Sequence, residues 1–445
     1  MVITKKIKVY IGMSGGVDSS LAAALLVEQG YDVTGVYMKN WTADLPGVKC
    51  PWADDLADAK RVAVQLGIDF KVFDFEKEYK QKVVDYMIDE YKKGHTPNPD
   101  IMCNQEVKFK LFLNAALEDG ADMIATGHYA RVYHQGSVGQ PITPSSLLHA
   151  GLNQGPGALL NSDSRVSDEI TSKPTNLGDS LITIGQQSRS SIVLSDTLEP
   201  KSEVAPGPNS DLERSSVTMN GRRKGEQEIG ILKQAVDKNK DQTYFLYRIT
   251  GKALGKTLFP IGEFTKPQVR KMAEERKLTT AVKKDSQGIC FVGQVGIRDF
   301  LSLYVDSKPG EIIDKRSGKV LGRHEGAIFY TFGQRHGLDL GGGMPYYVVG
   351  KDMDKNEVYV TTDLNDDNLW KKSIHLTNVH WINEKPGDGK YQIRVRHRAP
   401  LVGASLSFDN KNVILDLDNP ERAIAPGQSV VIYDGDICLG GGVII

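Results

Sequence analysis

The sequence predicts an α/β fold: a parallel-sheet domain at the front of the chain, followed by two small β-rich domains, the last a β-barrel. Two observations carry that reading. From Ile7 to Ile124 short apolar runs alternate with amphipathic helical ones, the pattern of a parallel sheet with helices on both faces. After Phe291 that pattern gives way to short strands separated by Gly and Pro, the spacing of small sheets and barrels.

Taken in order, "IKVYIGM" reads as a strand and "SSLAAALLVEQG" as a helix stopped by Gly30. "YDVTGVYM" is a second strand, "WADDLADAKRVAVQLG" an amphipathic helix stopped by Gly67, and "DFKVFDF" a third strand. The helix "EYKQKVVDYMIDEYKKG" follows, and later "VKFKLFLNAALEDG" leads into "ADMIATGH". Residues 134–226 are rich in Ser, Gly, Pro, Asn and Gln. With little apolar surface to bury against its ordering entropy, that segment reads as a flexible insertion, and its "RRK" as a solvated charge cluster. Order returns with the strand-like "DQTYFLYRI" and the helix "TKPQVRKMAEERKL", where Thr265 is the candidate N-cap and Pro267 lies in the first turn. The expected domains are 1–292, 293–367 and 368–445.

Composition narrows the function classes. The 445 residues carry a net charge of −1, with 40% hydrophobic and 25% charged residues, as in an ordinary globular protein. No global basic field advertises a nucleic-acid partner, so any such surface has to be local. No apolar run is long enough to span a bilayer, and "MVITKKIKVYIGMSGG" lacks the apolar core of a signal peptide. A cytoplasmic protein with no membrane partner is expected. The four cysteines, Cys50, Cys103, Cys290 and Cys438, form no C-x-x-C pair, which argues against a disulfide scaffold or a Cys-only zinc site. Taken alone, each reads as a small buried hydrophobe.

The loop "GMSGGVDSS" joins the first strand to the first helix. Its glycines permit positive φ and leave no Cβ in the way, so loop and helix-terminal amides can face an anion. A Walker loop is excluded, because Val17 and Asp18 stand where its Lys and Ser/Thr would be. S-G-G-x-D-S resembles instead the signature of the PP-loop ATP pyrophosphatases, adenine nucleotide alpha hydrolase-like proteins that split ATP between α and β. The resemblance implies a loop that holds pyrophosphate as leaving group, with Asp18 helping to hold Mg²⁺.

Adenylation needs an attacking group. In "GHTPNPDIMCNQEVKF" two prolines impose a restricted, extended loop that can fix Asp100 near Cys103. Such a carboxylate suits general base work rather than thiol activation, since a nearby anion raises a thiol's pKa. In "KKDSQGICF", Lys283 and Lys284 favour a thiolate at Cys290 if they face it. In "RVRHRAP", an extended strand puts Arg394, Arg396 and Arg398 on one face, roughly 6.6 Å apart, a row suited to a phosphate backbone.

Nine blocks in order, "GMSGGVDSS", "YMKNW", "CPWADDLADA", "TPNPDIMCN", "ATGHYAR", "KDQTYFLY", "DSQGICFVG", "TFGQRHGL" and "APGQSVV", closely resemble the tRNA-specific 2-thiouridylases. The resemblance covers nearly the whole chain except 134–226, where members usually have a much shorter connection. It implies an ATP site at Gly12, Met13, Ser14, Gly15, Gly16, Val17, Asp18 and Ser19, with Met38 and Gly127. Asn98, Pro99 and Asp100 would meet the target uridine, with Asp100 as acid/base. Cys103 would be the nucleophile and Cys290 the persulfide carrier, the two forming a transient disulfide. His128, Lys240, Asp241, Gln242, Arg396, His397 and Gln428 would contact tRNA. The implied reaction adenylates O2 of the wobble uridine U34, in the anticodon arm. Sulfur from a cysteine desulfurase or relay protein then replaces it, either directly from Cys290 or as hydrosulfide assisted by Cys103. A PP-loop ligase or amidotransferase acting on a small metabolite would need neither a phosphate-tracking surface nor two distant cysteines. A non-catalytic nucleotide sensor would tolerate Cys103→Ser and Cys290→Ser.

Overall fold

The computed structural model describes residues 6–44, 50–135, 229–284, 296–341, 343–409 and 412–445. The expected flexible insertion, its "RRK" cluster and Cys290 therefore lie outside the described residues, apart from 134–135 at the insertion's start.

The front of the chain builds a parallel sheet from β1 (Lys8–Gly12), β2 (Asp32–Lys39), β3 (Asp69–Asp74) and β4 (Met123–Thr126). The antiparallel hairpin β5 (Ala130–Gln135) and β6 (Ile229–Gln234) stands outside it, and β7 (Thr257–Leu258) completes it in the order β3-β2-β1-β4-β7. The alternating sequence pattern dictates this arrangement: β1 is buried at every residue after Lys8, as a strand covered by helices on both faces must be. Helix α1 (Val17–Glu28) is apolar nearly all round and buried through Leu26. Helix α2 (Trp52–Leu66) is amphipathic and ends at Gly67, whose φ of +66° is the left-handed turn that stops it. Two longer helical rods cover the other face, over residues 76–92 and 99–118. Both are wound partly with i→i+5 bonding, over Lys80–Asp85 and Cys103–Phe112, a geometry that recurs at functional sites.

Two expectations need correction here. "TPNPD" is extended only as far as Asn98, whose side chain accepts from the amides of Asp100 (3.1 Å) and Ile101 (3.3 Å) and so starts a helix with Pro99 in its first turn. "DQTYFLYRI" is not a strand: Thr243–Leu246 is a helical turn. Helix Lys266–Glu275 begins as expected, with a capping box between Thr265 and Gln268.

The next segment forms a four-stranded sheet from β8 (Gly310–Asp314), β9 (Val320–His324), β10 (Tyr347–Asp352) and β11 (Glu357–Thr361), in the order β10-β11-β8-β9. The last part runs from β12 (Trp370–Trp381) through β13 (Gly389–Arg394), β14 (Val402–Asp409) and β15 (Asn412–Arg422) to β16 (Ser429–Asp434) and β17 (Ile437–Ile444). Pairing of β12 with both β15 and β17 closes these six strands into an antiparallel barrel, which removes its exposed edges. Alternate inward residues such as Ile374, Leu406, Leu415 and Ile432 fill it. The barrel does not stand free. Ile437 of β17 pairs with Lys233 of β6, and Asp436 in the preceding turn binds Arg131 (2.9 Å) and Lys233 (3.2 Å).

Candidate active site

The carboxyl ends of β1, β2 and β4 bring the expected nucleotide residues together. Strand β1 lies between β2 and β4, so its exit is where the strand order reverses, the usual ligand crevice of such sheets. Gly12 ends β1, Met38 comes from the end of β2 and Gly127 follows β4. A Cβ on Gly12 would fall 2.9 Å from Met38 Cε. Gly15, at φ +73°, has no room for one either: it would sit 2.3 Å from the Asp55 carbonyl oxygen. At Gly127 an added Cβ would be 2.7 Å from the Ser19 nitrogen and 2.8 Å from the Asp18 carbonyl carbon. The strand-end glycine thus lies flat against the first turn of α1. No side chain caps that helix, so its first amides lack intrahelical acceptors. The loop is tied to the helix by Ser19 Oγ, which accepts from the Ser14 amide (3.2 Å) and donates to the Gly16 carbonyl (3.2 Å). These features form a cradle that fits phosphate groups, held by backbone rather than side chains.

The lysine that the loop lacks arrives from elsewhere. Lys266, at the start of a helix nearly 250 residues away, places Nζ 2.7 Å and 2.9 Å from the two carboxylate oxygens of Asp18. Tyr129 donates its hydroxyl to the same carboxylate at 2.8 Å. Lys266 is 8% exposed, so this pair is held largely out of water. Nothing in the sequence marked Lys266 itself; its neighbours Thr265 and Pro267 stood out, as cap and first-turn proline. The carboxylate expected to help hold Mg²⁺ is thus engaged by an amine and a phenol. Among the described residues no cluster of three His, Cys, Asp or Glu could hold a metal. The residues present do not form a metal cage of their own.

Asp100 and Cys103 sit three apart on the rod 99–118, on one helical face. Cys103 is 1% exposed. Its neighbour Asn104 donates to the Phe245 carbonyl at 3.1 Å, and Phe245 packs its ring 4.4 Å from that of His397. An aromatic pair thus stands one residue from the cysteine, and the sequence had given Phe245 no role. Lys283 donates to Asp55 (2.8 Å) and Asp58 of α2. Its charge is thus shared with two carboxylates, while Cys290, the thiol it was expected to favour if it faced it, lies outside the described residues.

The residues expected to touch tRNA divide into two groups. His128 is 8% exposed, flanked by Phe109 and Phe259. Lys108 donates to its Nε2 (3.4 Å) and Thr126 Oγ1 lies 2.7 Å from Nδ1, which makes Nδ1 the protonated nitrogen. Burial, then Lys108, hold this imidazole well below the usual histidine range. Asp241 is 1% exposed and accepts from the Ala235 amide (3.0 Å), Thr243 Oγ1 (2.8 Å) and Arg394 Nη1 (2.7 Å). Gln242 is bound both ways to Tyr129, accepting from its amide at 2.8 Å and donating its own amide to the Tyr129 carbonyl at 2.9 Å. These three residues brace the site from behind.

Lys240, Arg396, His397 and Gln428 retain some exposure. The row of three arginines on one strand face does not form. β13 ends at Arg394, whose side chain turns inward to Asp241, and the chain then turns, with Arg398 at φ +62°. Arg396 and Arg398 are exposed. Burial, then the neighbouring Arg398 and Arg394, push His397 down to about 4. Gln428 belongs to a turn whose Gly427 lies against His95 and Thr96, with the Thr96 amide donating to the Pro426 carbonyl at 3.1 Å. Cys438 is buried, its thiol pushed far up by burial, and Cys50 is half-buried with Sγ 3.6 Å from the Trp41 carbonyl.

Comparison with known proteins matches three family models along the chain. Residues 7–147 and 216–294 match the tRNA methyl transferase HUP domain, 298–362 the tRNA methyl transferase PRC-barrel domain, and 371–444 the aminomethyltransferase beta-barrel domain. The tRNA-specific 2-thiouridylase MnmA of Bacillus cytotoxicus is 39% identical over 442 residues, 98% of this chain and 94% of that protein. That of Bacillus cereus gives the same figures, and that of Bacillus mycoides is 38% identical over 447 residues, 99% of this chain and 95% of the other.

Proposed function

This chain belongs to the tRNA-specific 2-thiouridylase family of sulfurtransferases, and from that premise we propose that it replaces O2 of the wobble uridine, U34, with sulfur in an ATP-dependent reaction. The observation that carries the ATP-dependent part is the cradle where β1 leaves the sheet, closed on one side by Gly127 against the first turn of α1. Gly12–Ser19, Met38 and Gly127 would hold ATP, which supplies the AMP group that makes O2 a leaving group. Lys266 provides the cation that the loop itself does not encode, held in place by Asp18. Mg²⁺ belongs to the proposal as counter-ion of the triphosphate, which carries several of its ligands.

The rod 99–118 presents Asp100 and Cys103 to the base, with Asn98 fixing the start of the helix. Asp100 takes or returns the proton exchanged as O2 leaves. The terminal sulfur of a Cys290 persulfide attacks C2 and AMP departs with O2. Attack of the Cys103 thiolate on Cys290 Sγ then leaves the sulfur on the base and joins the two cysteines, and a thiol reductant returns that disulfide to two thiols. A cysteine desulfurase or relay protein in the cytoplasm reloads Cys290. Arg396, Lys240 and Gln428 are placed to meet the RNA, while Phe245 and His397 offer a stacking surface beside the cysteine.

The test is reconstitution with purified protein, Mg·ATP, a persulfide-donating desulfurase and a tRNA transcript bearing U34, read by nucleoside mass spectrometry. Formation of 2-thiouridine that requires ATP and fails with Cys290→Ser is expected. ATP cleavage with no sulfur in any tRNA would point instead to a small-metabolite substrate.

A further inference from the structure

Where the rod 76–92 ends, the chain meets both β-rich segments around a cavity of about 490 Å³, a size suited to a small organic ligand. It is separate from the cradle at the end of β1 and shares no residue with it. Much of its wall is apolar, with Phe332, Val348, Met353, Ile374 and Ile424. Its lysines are Lys93, Lys351 and Lys371, beside the imidazoles of His95 and His375, with no aspartate or glutamate side chain among the lining residues.

These lysines are not equivalent. Glu90, behind the wall, binds Lys93 and His95, each at 2.7 Å, and so neutralises that side. Lys371 stands opposite Glu421 across the β12–β15 ladder without forming an ion pair. Lys351 gives its Nζ to the Tyr330 carbonyl at 2.9 Å, and no carboxylate among the described residues pairs with it. Its stem lies along Gly94, where an added Cβ would come within 3.4 Å of Lys351 Cε. Burial pushes this amine down to about 8, as expected of an ammonium taken from water without a counter-charge. Thr96, also on the wall, precedes Asn98 of the expected base-contacting segment by two residues.

We propose that this cavity is a second anion site, taking a phosphate borne on a ring-sized apolar body, the chemistry of a single nucleotide unit. The phosphate is received by Lys351 and Lys371, and the ring lies against Phe332 and Met353. The nucleotide is either free or part of an RNA strand, and the two sources are separable by experiment.

The test is lysine footprinting of the full-length protein, using limited acetylation near the titration range of Lys351 and peptide mass spectrometry. The probes are uridine 5′-monophosphate, uridine, inorganic phosphate and a tRNA transcript. At a pH near its midpoint, a phosphate that restores one unit of lost basicity lowers the free-amine fraction about fivefold, so protection of Lys351 on that order is expected. Protection by the mononucleotide supports a free ligand, and protection by tRNA alone supports a strand phosphate. Lys371→Glu, at an exposed position, is expected to abolish the protection with the circular dichroism unchanged. The proposal is overturned if no probe protects Lys351, or if uridine or inorganic phosphate protects it as well as the better of the mononucleotide and the tRNA does. Because the readout is local to this lysine, it is independent of whether the β1 cradle adenylates uridine.

Discussion

Replacing Lys266 by Met keeps most of the side-chain volume and removes the ammonium held against Asp18 of the loop proposed to take the nucleotide. In the folded protein the ammonium lies 2.7 Å from Asp18. At that separation the gross attraction is about 6 kcal/mol at an effective dielectric of about 20. Much of it offsets desolvation, and the Asp18 side chain is about one-third exposed. The net loss is therefore that of a charge-assisted hydrogen bond, about 1.5–3 kcal/mol. Lys266→Met also leaves the Asp18 carboxylate beside the proposed triphosphate site with Tyr129 as its remaining side-chain donor among the described residues. A loss of about 10–150-fold in ATP affinity follows from that energy, read by equilibrium dialysis and by ATP-dependent thiolation. Adding Asp18→Asn removes the uncompensated anion, so the double variant should lose less than the sum of the single losses, by about 1 kcal/mol or more. ATP binding by Lys266→Met within about twofold of wild type, or strict additivity in the cycle, would refute the role given to Lys266.

Gly127→Ala drives a methyl into the first turn of α1, at 2.7 Å from the Ser19 nitrogen. An overpacking cost of about 1–3 kcal/mol should appear as a lower melting temperature together with weaker ATP binding, whereas Gly120→Ser, on an open turn, should leave ATP binding unchanged. Asp241→Asn strands the buried guanidinium of Arg394 and should cost about 3–5 kcal/mol of stability, seen as faster proteolysis. Arg396→Ala, at an exposed position, should instead weaken tRNA binding and flatten its salt dependence with the melting temperature unchanged. Burial holds His397 at about 4 and His128 well below its usual range, while both titrate near 6.5 once unfolded (about the free value). Their neutral forms favour the fold above that pH, so stability should fall as pH drops through the window toward 4 and level off below it. A His397→Gln protein should show a smaller drop in melting temperature over that window.

Much of this protein was legible from local pattern. Alternating apolar runs gave the parallel sheet, and the left-handed glycine at 67 and the Thr265–Gln268 box set helix ends as read, because caps depend on neighbours within a few residues. The "GMSGGVDSS" loop could be placed at a strand exit for the same reason. Where reading failed, two local signals competed. "TPNPD" carries both proline restriction and an N-cap, and the Asn98 side chain decided for the helix. "RVRHRAP" has strand alternation, yet the strand stops at Arg394, whose guanidinium is taken up by Asp241 153 residues away.

The sequence by itself determined which residue types the family resemblance assigns to the nucleotide and the base, since loop chemistry and the order of the motif blocks are written along the chain. Only the tertiary structure decided which charges remain available there. Lys266 reaches Asp18, Arg394 is neutralised by Asp241 and Lys283 is held by Asp55 and Asp58, while in the separate cavity no carboxylate among the described residues pairs with Lys351. Ion pairing acts over a few ångströms of space, and the partners here are separated by tens to hundreds of residues, a relation that no local pattern records.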